Sequence, residues 1–182
     1  MQTFNSQLLV DRMVGVARLD SQTFEEIERD RGANIESLIV VALASIAAGI
    51  GTLNSDGGTG LIAGLIGGVL RWVIYSIAAY FVADRLFPSE GMQVDPGELL
   101  RTLGYANTPR LLFVVGFIPF LGGVVSFVAF LWWLAASILA LRQSLEMTTG
   151  RATIVGLIAL IPFAIVMAIF YWVFGISPPG RN

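Results

Sequence analysis

"LGYANTPRLLFVVGFIPFLGG", residues 103–123, decides how this chain is built. Leu111 to Leu121 is apolar enough for a membrane interior. As an α-helix at ~1.5 Å per residue it covers only about 16 Å of a ~30 Å hydrocarbon core. To cross, the segment has to start near Leu103, which draws Asn107, Pro109 and Arg110 toward the bilayer. Thr108 can cap a new helix with Pro109 in its first position, where a missing N–H costs nothing. Arg110 would then sit at the membrane surface and snorkel to the headgroups. The residues before Pro109 are biased away from the helical region. A linker holding Tyr105 and Asn107 is therefore expected between two helices, with a turn back at Gly122–Gly123.

The rest of the chain sets that segment in context. Of 182 residues, 55% are hydrophobic and 13% charged, with a mean hydropathy of +0.77. A soluble domain carries about a quarter charged residues. The apolar excess sits in five blocks, at 35–53, 60–83, 103–121, 124–141 and 152–175. The expected fold is all-α: a polytopic membrane protein with five transmembrane helices. A cytoplasmic amphipathic leader covers residues 1–34, the five-span membrane domain 35–175, and a short external tail 176–182.

All eleven basic residues are arginine. With five spans, Arg12, Arg18, Arg29, Arg31, Arg85, Arg101, Arg110, Arg142 and Arg151 fall on one side and Arg181 on the other. Positive residues collect in the cytoplasm. The expected placement is the cell (inner) membrane, with the N-terminus cytoplasmic and the C-terminus outside. If 103–121 did not cross, the split would be eight against two, so charge favours crossing. The leader lacks a continuous apolar core, so no cleavable signal peptide is expected.

The leader reads as two short interfacial helices. Leu9, Val10, Met13, Val14 and Ala17 share helical spacing in the first. The second opens on Ser21 as N-cap, with Glu25 and Glu26 in its first turn and Phe24 and Ile27 on one face. Asp95 is the expected N-cap and Pro96 the first residue of a further short helix, whose Leu99, Leu100 and Leu103 suit a membrane surface. The first two spans carry small residues four apart, among them Ala44/Ala48 and Gly60/Gly64/Gly68. Such faces let helices approach closely, within the chain or across a homodimer seam.

Reactive groups are scarce. Without His or Cys, the N/S-ligand metal sites and the common nucleophile–base pairs are excluded. No catalytic residue, cofactor or metal is expected. A net charge of −2 offers no basic surface for nucleic acid. Glu25/Glu26 and Glu28/Asp30 read as a solvated face. "GTLNSDGG" lacks the Gly-Lys-Ser/Thr ending of a phosphate loop. "TTGRA" reads as the cap of the last span, Tyr171 and Trp172 as an interfacial belt, and Trp132 and Trp133 as packing between helices.

Arg71 stands apart, lying mid-span in the second apolar block. Counted at about 100° per residue, it shares a face with Gly64, Gly67, Tyr75 and Ala78. Arginine at that depth costs ~2.5 kcal/mol or more and faces a bundle interior or a water cavity. Arg71 is therefore the candidate intramembrane polar site. Its expected partners are carbonyls and hydroxyls such as Tyr75, Ser45 or Ser126.

"LGYANTPRLL" resembles the Gly-Tyr-x-x-x-Pro signature of the Yip-domain family, the Ypt/Rab-interacting membrane proteins. "RLDSQTFEEIERD" and "IPFLGGVVSFVAFLWWLAASILALRQSLEMTTGRATIVGLIAL" resemble its bacterial branch, and together the likeness covers roughly 10–175. The resemblance implies a five-helix membrane domain with a cytoplasmic N-terminus. The signature falls on Gly104, Tyr105 and Pro109, read as structural. Eukaryotic members are linked to Rab-type GTPases, but their Asp-Leu-Tyr-Gly-Pro stretch is absent here. The resemblance and the missing chemistry imply a non-enzymatic membrane protein, working in the lipid bilayer, that organises or binds other membrane proteins or itself. The alternative is a small transporter, channel or lipid-moving protein with a polar path near Arg71. A polar cavity around Arg71 favours the second reading and a dry, sealed bundle the first.

Overall fold

The computed structural model describes residues 5–51, 59–87 and 95–174. The "NSDGGT" turn with Asp56, the loop after Phe87 and the tail with Arg181 lie outside the described residues, as do the side chains of Gly60, Tyr171 and Trp172. The chain is helical throughout the described part. Its elements are α1 (Ser6–Ala17), α2 (Ser21–Arg29), α3 (Ala33–Gly51), α4 (Thr59–Leu86), α5 (Pro96–Tyr105), a 3-10 helix (Thr108–Phe117), α6 (Leu121–Ser144) and α7 (Thr149–Phe174). Four helices, α3, α4, α6 and α7, are long and apolar enough to cross a membrane.

The segment at 103–123 breaks where the sequence suggests, but its form differs. α5 continues through Tyr105, the turn is Ala106–Asn107, and the next ten residues are 3-10 rather than α-helical. Asn107, not Thr108, holds the N-cap position. Thr108 instead donates its hydroxyl back to the Tyr105 carbonyl at 2.7 Å. Runs of 3-10 helix beyond three or four residues are uncommon. Here the stretched form has a use. At ~2.0 Å per residue, ten residues climb about 20 Å, where an α-helix climbs about 15 Å.

Close backbone contacts fix its direction. A Cβ on Gly104 would come within 2.5 Å of the Ser37 Cβ, near the start of α3. One on Gly116 would sit 3.2 Å from Gly51, at the end of α3. The segment therefore runs parallel to α3 from the level of Ser37 to that of Gly51. A side chain on Gly51 would strike the Phe113 carbonyl, so this seam depends on glycine. The turn that follows comes earlier than Gly122–Gly123. Leu121 N–H donates to the Pro119 carbonyl at 2.7 Å, and Phe120 at φ 66°, ψ −55° forms a γ-turn. Gly122 lies inside α6, where a Cβ would meet the Gly116 carbonyl, while Gly123 faces open space. α6 then returns to the level of α5, where the hydroxyls of Thr102 and Ser144 meet at 2.7 Å.

The leader folds onto the bundle. Val16, Phe24 and Ile27 are fully buried. Trp132 of α6 donates its indole N–H to the Ala17 carbonyl at 2.8 Å, and Gln143 reaches Glu25 at 3.1 Å. Asp20, not Ser21, caps α2, and Glu25 and Glu26 fall beyond its first turn. Asp95 caps α5 with Pro96 following, in line with the sequence. α5 does not turn its leucines outward, however. Leu99 and Leu103 are buried, and α2 and α6 pack against the helix.

Candidate functional site

Two polar centres emerge, both built around arginine. The first ties the leader to α3 and α5. Arg12 donates to Glu36 at 2.8 Å and to Asp30 at 2.8 Å, and the Arg12 and Glu36 side chains keep less than a tenth of their surface exposed. The Tyr105 hydroxyl donates to the same Glu36 carboxylate. Burial and the Glu36 charge raise the Tyr105 phenol above its ordinary range, so it stays a donor. Burial opposes ionisation of Asp30, yet the Arg12 hydrogen bond and the Gly32 N–H hold its carboxyl below the usual range. Arg101 of α5 completes the tie, reaching the Glu28 carbonyl at 2.5 Å.

This corrects the reading of Glu28 and Asp30 as a solvated face. Asp30 is an ion-pair partner. Glu28 is half-buried, and burial plus the charges of Glu98 and Glu146 push its carboxyl up to about 7. Glu36 was not among the candidate site residues read from the sequence. An acid inside the first apolar block was the signal that could have found this centre.

The second centre is a cavity of about 310 Å³ inside the apolar part of the bundle. α4 contributes Arg71, Trp72 and Tyr75. The turn and 3-10 helix contribute Asn107, Arg110 and Phe113. α6 supplies Phe130, Trp133 and Ser137, and α7 closes the wall with Leu160 and Phe163. Arg71 thus points into the protein, as its helical face suggests. Its surroundings differ from expectation. Gly64 and Gly67 have nothing packed on them, and only Gly68 makes a close approach, to Ser45. Tyr75 gives its hydroxyl to the Gly156 carbonyl at 3.2 Å, and Ser45 bonds the Val41 carbonyl. Ser126 lies at a different cavity. Among the described residues Arg71 makes no hydrogen bond or ion pair.

Arg110 has a setting that sequence reasoning did not foresee. It lines the same cavity as Arg71, donates to Asn107 Oδ1 at 2.8 Å, and lies 5.5 and 5.7 Å from the ring centres of Phe113 and Trp133. The break at Ala106–Asn107 causes this, because it turns the following helix so that Arg110 faces α4 and α6. Trp133, expected as packing, is part of the lining. Two arginines therefore line one space, with no carboxylate among the described residues around it.

The signature residues lie between the two centres. Gly104 lets Trp72 and Ser37 close on α5, Tyr105 reaches Glu36, and Pro109 begins the 3-10 helix. Trp72 links them to the cavity, donating its indole N–H to the Leu100 carbonyl at 3.0 Å. Among the described residues, no acidic cluster is arranged to hold a metal ion. The Yip1 domain family model matches residues 14–173, nearly the whole chain. No curated protein and no solved structure matches it.

Proposed function

The chain belongs to the Yip1 domain family, and from that premise we propose that it is a non-enzymatic membrane protein that binds an anionic, phosphate-type group between Arg71 and Arg110. One observation carries the reading: two arginines line one cavity among the apolar helices, with no carboxylate among its described lining residues. Charge held at such depth is costly unless paired. The Arg12 centre of the same protein has its pair, so the fold can supply carboxylates where it needs them. A guanidinium fork suits a phosphate or carboxylate in two-point contact.

In this reading the chain crosses five times. The 3-10 helix is the third crossing, short in residues but stretched, with the leader cytoplasmic and the tail outside the inner membrane. The parallel run beside α3 supports that count. Single cysteines at Gly57 and Met147 test it. Labelling of position 57 only from the cytoplasm, or of 147 only from outside, overturns the topology. Gly104, Tyr105 and Pro109 act structurally, shaping the break that brings Arg110 to Arg71.

Organising other membrane proteins has weaker support. Some of the small residues that could have formed a seam with a partner serve inside the chain, at Gly68–Ser45, Gly51–Gly116 and Gly116–Gly122, while Gly64 stays open. The function is tested by thermal unfolding in a neutral detergent. Lysophosphatidic acid should raise Tm, and monoolein, which has a chain but no phosphate, should not. Arg71→Gln with Arg110→Gln should abolish the shift. Equal shifts from both lipids, or an undiminished shift in the double variant, overturn the reading.

A further inference from the structure

A second cavity, also of about 310 Å³, lies further along the bundle and is lined by Ala48, Gly51, Gly116, Gly122, Gly123 and Ser126. Phe113 belongs to the walls of both cavities, so the two spaces adjoin at this residue. The two spaces differ sharply in chemistry. The first holds two arginines, Asn107 and two indoles; among its described residues the second holds no charge and a single polar side chain, the Ser126 hydroxyl.

Their order along the bundle is also fixed. Arg110 precedes Gly116 by six residues, about 12 Å of 3-10 helix. The charged cavity is therefore nearer α5, and the small-residue cavity nearer the Gly51 end of α3. In the topology above, that is charge toward the cytoplasmic face and apolar space toward the far leaflet. A lipid of the cytoplasmic leaflet has the same head-to-chain order.

Resting on the anion-binding reading, we propose that the ligand is a phosphate-bearing amphiphile. Its headgroup sits between Arg71 and Arg110, and its hydrocarbon chain passes Phe113 into the glycine-lined cavity. The lining explains why the second space exists. Gly51 and Gly122 cannot carry side chains without striking backbone and Gly116 has little room for one, so three segments meet with little side-chain volume to fill the space. An empty apolar space loses dispersion contacts, and a chain restores them. Each buried CH₂ contributes about 0.8 kcal/mol, so even a few should raise affinity at least tenfold over a chainless headgroup.

Gly123 supplies a clean probe. It lines the second cavity, yet a Cβ there meets nothing within 4 Å. Gly123→Leu should therefore fill the space without disturbing the fold. Ser126→Leu is the second variant, projecting from the next turn of α6 into the same cavity. Native mass spectrometry of the full chain, released from mild detergent, would measure binding of three probes: lysophosphatidic acid, glycerol 3-phosphate and monoolein. The expected order is lysophosphatidic acid at least tenfold tighter than glycerol 3-phosphate, with monoolein weakest. Both cavity-filling variants should bring lysophosphatidic acid down to the level of glycerol 3-phosphate and leave glycerol 3-phosphate unchanged. Equal binding of the two phosphates, unaffected by either variant, overturns the chain site but leaves the arginine site standing as one for a free anion. Monoolein binding as tightly as lysophosphatidic acid removes the arginine site instead. Folding of each variant is checked by its melting profile. Should Gly123→Leu unfold, Ser126→Leu with the chainless probe still decides.

Discussion

The two arginine centres use one side chain for opposite ends. Around Arg12, two carboxylates and a phenol meet in a buried knot that ties three segments together. Around Arg71 and Arg110, positive charge faces a cavity lined by indoles, phenyl rings and amide, with no carboxylate among the described residues that line it. The first arrangement pairs its charges within the protein, with Arg12 Nε left buried and without a hydrogen-bond partner among the described residues. The second has no carboxylate among the described residues of its lining, which is the basis of the anion-binding proposal. The difference lies in what surrounds each guanidinium, which the residue type does not reveal.

The largest expected effect comes from breaking the ion-paired centre. Glu36→Leu leaves Arg12 buried with one carboxylate fewer and removes the Tyr105 acceptor. Losing one partner of a buried pair costs about 3–5 kcal/mol. Chemical unfolding in detergent should show a loss of that size. Adding Arg12→Met should recover part of it, since the stranded charge disappears with its partner. Equal destabilisation by Arg71→Leu would erase the contrast between the centres.

A smaller effect concerns pH. The Glu28 carboxyl is raised to about 7 in the fold, above the ordinary carboxylate value. The folded state then binds more protons than the unfolded state between those values, so stability falls as pH rises through that window. Glu28 is half-exposed to solvent and screening reduces the full linkage, leaving roughly 1 kcal/mol. Glu28→Gln should flatten the decline between pH 5 and 7 and stabilise the protein at pH 8. A steeper decline in the variant would mean that the carboxylate is a favourable partner, and that the knot extends further than Asp30 and Glu36.

The smallest effect is expected at the cavity centre without lipid. Arg71→Gln should change unfolding in a neutral detergent by less than ~1 kcal/mol, because it removes no protein partner and relieves like-charge repulsion. In the presence of lysophosphatidic acid the same variant should lose the ligand's stabilisation. A loss of several kcal/mol without lipid would show that Arg71 tethers helices, as the Arg12 knot does.

Much of this architecture was legible along the chain. Apolar blocks gave α3, α4, α6 and α7, since continuous hydrophobicity over such lengths leaves few alternatives to a membrane helix. Asp95 before Pro96 gave the start of α5, and the Asn107–Pro109 stretch gave the break after it, because capping and proline sterics act within a few residues. The Gly104–Tyr105–Pro109 signature, with the longer likeness around it, gave the family. The helical face of Arg71 was legible only in part, since Arg71 and Tyr75 line one cavity while Gly64 and Gly67 of the same face have nothing packed on them.

Whatever required knowing which segments meet was decided by the tertiary structure. The 3-10 form of Thr108–Phe117 comes with glycine-to-backbone contact at Gly51, and no local propensity announces it. Arg12 and Glu36 are 24 residues apart and on different helices, so neither names the other in sequence. Arg71 and Arg110 come from segments separated by a full loop and a helix, and the fold alone turns both toward one cavity. Periodicity and capping are properties of neighbours in the chain. Charge compensation is a property of neighbours in space, and that distinction separates the ion-paired Arg12 from the two arginines that line a cavity.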